Sequence, residues 1–355
     1  MPWTVAGQDA AVRILTAAIA GERVAHAYLF AGPAHTGKAL TATQFAQALN
    51  CTAEGAGTPP CGACRSCEKI AGGAHPDVEF VGIGAVCVED GHDHAKDNSR
   101  DIRICQVRRI EQIVSRAPYE GRRRVIIIDP ADALNVASIS ALLKTLEEPP
   151  PYVVFVLVTS AEEVLLDTVR SRARRVAFGG QSRELIERTL RTHWNAEPAE
   201  AAELARLSGG RLGWAIAALR DPKLLDKRED ALDRCEELAQ SGLAQRFAAA
   251  GTLGSGYSRD RAGTQAVLEL WQEWWRDLLL VAAGRDAQIV NAPRLDTLRP
   301  LAAQCGVAPV VTALRAIADA RQQLIENASP TLTLEAMMLA LPRLQPNAVA
   351  ARLRN

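Results

Sequence analysis

Apolar residues follow two regimes along this chain. Up to about position 177, short and nearly continuous apolar runs alternate with segments of helical spacing; beyond it, only the helical spacing persists. HAYLFAG (26–32) reads as a buried strand running into a glycine turn, and GKALTATQFAQALN (37–50) as the helix that follows. RRVIIIDP (123–130) and YVVFVLVTS (152–160) are two further strands, apolar along both faces as parallel strands covered on both sides must be. Between them SISALLKTLEE (138–148) is a helix stopped by three prolines. The prediction is a parallel α/β sheet with helices on its faces.

Past 177, SRELIERTLRTHW, AEAAELARLS and RLGWAIAALR read as three short helices, with SGGR (208–211) as the turn before the last. Longer helices follow, among them AVLELWQEWWRDLLLVAAG and TLTLEAMMLALPRL. GTLGSGYSRDRAG (251–263) is expected to be a mobile loop. Trp271, Trp274 and Trp275 share one helical face, which makes them core or subunit interface rather than a base-stacking platform.

A length of 355 residues allows two or three domains. With 48% hydrophobic and 23% charged residues the composition is that of a soluble globular protein, and no apolar run nears the roughly 18 residues of a membrane span. The start lacks the basic end and apolar core of a signal peptide, so a cytoplasmic location is expected. Basic and acidic residues balance at 41 each, which excludes a broad electrostatic attraction to nucleic acid and leaves only local or shared contacts. GRRRV (121–125) is then a charged loop before a strand, with DNA contact as its alternative, and His26 a packed histidine at a strand entrance.

The chemistry concentrates in a few places. Gly32, Gly37 and Lys38 fit a phosphate-binding loop between strand and helix, but Ala39 replaces the Ser or Thr whose hydroxyl ligates magnesium. Asp129 ends a strand where a second acidic element belongs, yet Pro130 follows instead of the carboxylate that orients the attacking water. Asp132 is read as capping the next turn. Both losses argue against hydrolysis at this site. Four of eight cysteines, Cys51, Cys61, Cys64 and Cys67, form C-x9-C-x2-C-x2-C, a closed tetrathiolate pattern for one structural zinc. His92 and His94 in EDGHDHAKD are assigned to a solvated loop rather than a metal site. RSRARRV (170–176) alone is a basic turn; following the third strand, its arginine could reach a neighbouring subunit's nucleotide.

Together HAYLFAGPAHTGKA, the cysteine cluster, IIIDPADALNVASISALLKTLEEPP, FVLVTSAEEVLLDTVRSRARRV and RQQLIENASPTLTLEAMMLAL resemble the delta-prime subunit family of the bacterial DNA polymerase III clamp loader, within the AAA+ proteins. The resemblance implies an AAA+ P-loop domain over 1–177 with a zinc module at 51–67, a helical lid over 178–221, and an all-α collar over 222–355. It implies a ring with gamma or tau and delta subunits that loads the sliding clamp on primed DNA, as part of the polymerase III holoenzyme. Gly32, Gly37 and Lys38 match the Walker A loop, Asp129 the Walker B acid, Thr159 or Ser160 the sensor 1 residue, and Arg211 the sensor 2 arginine. ATP or ADP binding without hydrolysis is compatible with these matches. Ser171 and Arg172 match the start of the Ser-Arg-Cys motif, whose arginine completes the adjacent ATP site; Ala173 replaces its cysteine. The rival readings are an active gamma or tau ATPase, which would carry Ser or Thr at 39 and an acid at 130, and a zinc-containing nucleic-acid-binding module. The stretch 82–100 is longer than usual for the family and is assigned no function.

Overall fold

The computed structural model describes residues 3–53, 59–87, 94, 101–326 and 328–345. Two compact units divide the chain, Met1–Ile216 and Ala217–Asn355. The first carries α1 (Asp9–Ala20), β1 (Ala27–Ala31), α2 (Lys38–Asn50), α3 (Arg65–Ala71), β2 (Val78–Val81), α4 (Ile104–Val114) and β3 (Arg124–Ile128). It continues with α5 (Val136–Glu147), β4 (Val153–Thr159), α6 (Asp167–Arg170), β5 (Arg174–Ala177), α7 (Arg183–Trp194) and α8 (Pro198–Leu207), and the division falls within α9 (Leu212–Arg220).

Among the described residues, five strands form one parallel sheet in the order β2-β3-β4-β1-β5. The three strands expected from the sequence are the central ones, and their continuous apolar runs now have a cause. Leu29, Ile126, Ile128, Phe155 and Leu157 point to one face, against Val107 and Ile110 of α4 and Ile139 and Leu142 of α5. Tyr28, Phe30, Val125, Ile127, Val154 and Val156 point to the other, against Leu15 of α1 and Phe45 and Ala46 of α2. Each fully buried side chain of this size contributes about 1.5–3 kcal/mol. The sheet therefore holds its carboxyl edge rigidly.

The edge strands β2 and β5 were not expected. Each has four residues, and in β5 Arg174, Arg175 and Ala177 are exposed with only Val176 buried. Short charged strands are how sheets protect their open edges, and they carry little apolar signal.

The amino edge is fastened by a buried ion pair. Asp77, before β2, accepts from the N–H groups of Tyr119, Glu120 and Gly121 and pairs with Arg124 at 3.0 Å. Burial pushes its carboxyl up, but the three N–H donors and Arg124 together outweigh this and hold it below its ordinary value. GRRRV is the expected loop before a strand up to Arg123, which donates to the Pro151 carbonyl, but Arg124 already belongs to β3 and is buried, leaving Arg122 as the exposed arginine of the three. His26 is corrected too, since its side chain is exposed and only its carbonyl is used, by Phe155 N–H.

The second unit contains α10 (Lys223–Gln240), α11 (Leu243–Tyr257), α12 (Arg261–Ala282), α13 (Leu295–Cys305), α14 (Val307–Ile325) and α15 (Pro330–Ala340). Trp271, Trp274 and Trp275 are buried in its core as expected. The loop expected at 251–263 is instead the end of α11 and the start of α12. Asp260 caps α12 by accepting from Gly263 N–H, and Gly254 lets α11 approach α15, since a Cβ there would lie 2.5 Å from Thr331 Oγ1. Gly254 therefore serves packing. Arg246 is buried among main-chain carbonyls and donates to Leu238, Ala239, Met338, Leu341 and Pro342, gathering the ends of α10 and α15. Among the described residues no single helix is long and apolar enough to cross a membrane.

Candidate functional site

The carboxyl edge of the sheet carries the candidate site. β1 ends at Ala31 and α2 begins at Lys38, with a tight loop between. Gly32 has φ +151°, and a Cβ there would lie 2.1 Å from the Phe178 carbonyl oxygen; Gly37, at φ +94°, turns the chain into α2. The loop is held from outside. Gln8 Nε2 donates to the Thr36 carbonyl (3.0 Å) and the Gly179 carbonyl (2.9 Å), Gln181 Nε2 donates to the same Thr36 carbonyl, and Gly213 N–H at the start of α9 donates to His35.

Lys38 is buried and donates to the carbonyls of Gly32 and Pro33, at 2.6 Å each. Burial lowers its pKa, opposed by the charges of Asp129 and Asp132. Asp129, just past β3, is pushed up by burial, drawn back by Lys38 and pushed further by Asp132. The three charged groups therefore converge, as a nucleotide loop with its acidic partner requires. Thr159, at the end of β4, donates through Oγ1 to Asp132 Oδ1 at 2.6 Å, and Ser160 contributes its N–H to the same oxygen at 3.3 Å. Asp132 thus reads the end of β4 instead of capping its own turn, and Thr159 is the polar side chain of the pair that faces inward.

Two functional groups are missing from this framework. Ala39 presents a methyl group, and the nearby Thr41 and Thr43 return their hydroxyls to the carbonyls of Gly37 and Ala39. Pro130, beside Asp129, supplies no carboxylate.

Arg211, ahead of α9, donates through Nε to the Ser208 carbonyl at 2.9 Å. Arg172 lies between α6 and β5, where its guanidinium pairs with Glu147 at 2.7 Å and donates to the Thr168 carbonyl at 2.9 Å. With side chains 35% and 50% exposed, that ion pair is worth at most about 1 kcal/mol, so a stronger anion can displace Glu147.

The four cysteines converge where α2 ends and α3 begins. Cys51 and Cys64 Sγ lie 4.0 Å apart, as do Cys61 and Cys67. Disulfides would need about 2.05 Å. Sulfurs around a tetrahedral ion at 2.3 Å stand about 3.8 Å apart, so the spacing fits a metal. Burial works against the Cys64 thiolate, but N–H groups of Cys67 and Thr52 and the Thr52 hydroxyl bring it to about 5. Burial, with the hydrogen bond and charge of Cys64 and the charge of Cys51, pushes Cys67 above its ordinary value. Such an array needs a cation to ionise fully.

A family profile described as "DNA polymerase III, delta subunit" matches residues 7–182. The Bacillus subtilis DNA polymerase III subunit delta' is 25% identical over 94% of this chain and 96% of its own length. The Pseudomonas aeruginosa delta' subunit is 36% identical over 52% of this chain and 53% of its own. The Mycobacterium tuberculosis DNA polymerase III subunit gamma/tau is 28% identical over 95% of this chain, which spans 60% of that relative's length. These matches support a clamp-loader subunit of DNA polymerase III.

Within this clamp-loader framework, Gly32, Gly37, Lys38, Asp129 and Thr159 sit around one edge, together with Asp132. The roles of Asp132, Gln8 and Gln181 escaped sequence reasoning because polar side chains that bind distant main chain leave no periodic signal. The assignment of EDGHDHAKD to a solvated loop fails at His94, which is buried with Nε2 3.1 Å from Cys105 Sγ. His92 lies outside the described residues, as does most of 82–100.

Proposed function

We propose that this chain is a delta-prime-type clamp-loader subunit: an AAA+ scaffold that does no hydrolysis of its own and supplies Arg172 to a neighbouring subunit's ATP. The observation that carries this reading is a loop built and braced as a phosphate site, yet lacking the hydroxyl at 39 and the carboxylate at 130. Without them, magnesium loses its protein oxygen and water its orienting group. Lys38, folded onto its own loop carbonyls, can still turn toward an ATP or ADP phosphate, with Asp129, Thr159 and Arg211 around it. Arg172 is the complementary half, a guanidinium held by an exposed ion pair to Glu147 and one hydrogen bond to the Thr168 carbonyl.

The similarity to gamma/tau over 95% of the chain favours, as a second reading, an active ATPase of the same fold. Ala39 and Pro130 weigh against it. In the first reading residues 1–177 form the P-loop domain, 178–221 a lid and 222–355 a collar for assembly with gamma or tau and delta. The subunit acts in the cytoplasm, on the sliding clamp and primed DNA, through the assembled ring. Cys51, Cys61, Cys64 and Cys67 would hold one zinc with no open position, tying α2 to α3 and taking no part in catalysis. The test is reconstitution. A loader of gamma or tau and delta with this chain should place the clamp on primed DNA, and one without it should not; equal loading without it would remove the proposal.

A further inference from the structure

Beyond the four-cysteine module, a second set of soft donors meets in the first unit. Cys87, His94 and Cys105 are spaced C-x6-H-x10-C, yet their donor atoms all lie within 4.8 Å of one another. All three side chains are buried, at 8%, 2% and 5% exposure. We propose that Cys87, His94 and Cys105 form a second zinc site, which ties Cys87 and His94 to the first turn of α4.

The surroundings fix two of the ligands before any metal arrives. Gln106, next to Cys105 in the first turn of α4, donates through Nε2 to the carbonyls of Gly82 (3.0 Å) and Ala85 (2.9 Å), holding the stretch that leads to Cys87. The returning limb is held as firmly. Ile102 N–H donates to the Ala133 carbonyl, and Ser138 Oγ donates to the Ile102 carbonyl at 2.7 Å. Ala133 adjoins Asp132, so the residues that lead into α4 are moored to the same turn that reads the end of β4.

The chemistry selects a metal over the alternatives. A nucleophilic cysteine activated by histidine must be reached by its substrate, and these thiols are buried. Cys87 and Cys105 are not joined in a disulfide. Two thiolates and one neutral imidazole instead cancel the charge of Zn2+ and fill three of its four tetrahedral positions, leaving one for a further donor.

Metal analysis of the purified full chain tests this. Wild type should hold about two zinc ions per chain, Cys64→Ser about one, and Cys87→Ser with Cys105→Ser also about one. Should the double variant fail to fold, His94→Gln removes a single donor. It should release one ion to a chelator at least about tenfold faster than wild type while the other ion stays. Cobalt substitution adds a signature, because the sulfur-to-cobalt absorption should fall in both single-site variants. The proposal is overturned if wild type holds no more than one ion and Cys64→Ser abolishes it, or if peptide mapping finds Cys87 and Cys105 joined.

Discussion

The two edges of one sheet treat their carboxylates in opposite ways. At the amino edge, Asp77 has three N–H donors and Arg124, and its pKa is held below the ordinary range despite burial. At the carboxyl edge, burial pushes Asp129 above that range, with Lys38 drawing it back and Asp132 pushing it further. The first edge spends its polar groups on holding strands together. The second keeps charge incompletely neutralised, which is what an edge built to meet a ligand does.

The largest expected effect falls on the stabilising edge. Asp77→Ala should cost about 3–5 kcal/mol, since it strands a buried Arg124, and denaturant melts will measure it. The pH dependence has a definite sign. Because the folded-state pKa of Asp77 lies below the unfolded one, its contribution is complete above the unfolded value and is lost as pH falls through the folded value. Acid unfolding of wild type should show this loss and Asp77→Ala should not.

Cys64→Ser should release the ion of the four-cysteine module and lower thermal stability, with the drop matched by chelation of wild type. Asp129→Asn should change stability by no more than about 1 kcal/mol, because its raised pKa means the charge is a cost to the fold above the unfolded-state value. A loss as large as that of Asp77→Ala would erase the contrast between the edges. Ala39→Ser should have the smallest effect: hydrolysis by the isolated chain stays at background, because Pro130 still supplies no carboxylate.

What the sequence disclosed follows the same division. Central strands announced themselves because every residue is buried on both faces, whereas VEFV, with two buried residues, and RRVA, with one, are too short and too polar to do so. Gly32, Lys38 and Asp129 were legible because phosphate chemistry fixes residue types at fixed spacing. Asp132 and Arg124 were not, since their partners lie 27 and 47 positions away and only the fold brings them close. Gly254 misled for a related reason: a glycine that permits helix contact reads, in one dimension, like a glycine that permits a loop.

The account rests on an asymmetry between two cations, Lys38 buried in a loop that lacks its catalytic partners and Arg172 half-exposed on a weak ion pair. ATP turnover by a reconstituted loader, stimulated by clamp and primed DNA, compares them directly when this chain carries Arg172→Ala or Lys38→Ala. Arg172→Ala should slow the interface it serves by about a thousandfold with assembly intact, and Lys38→Ala should leave turnover near wild type. Unchanged turnover with Arg172→Ala, or a large loss with Lys38→Ala in an intact assembly, would contradict the account.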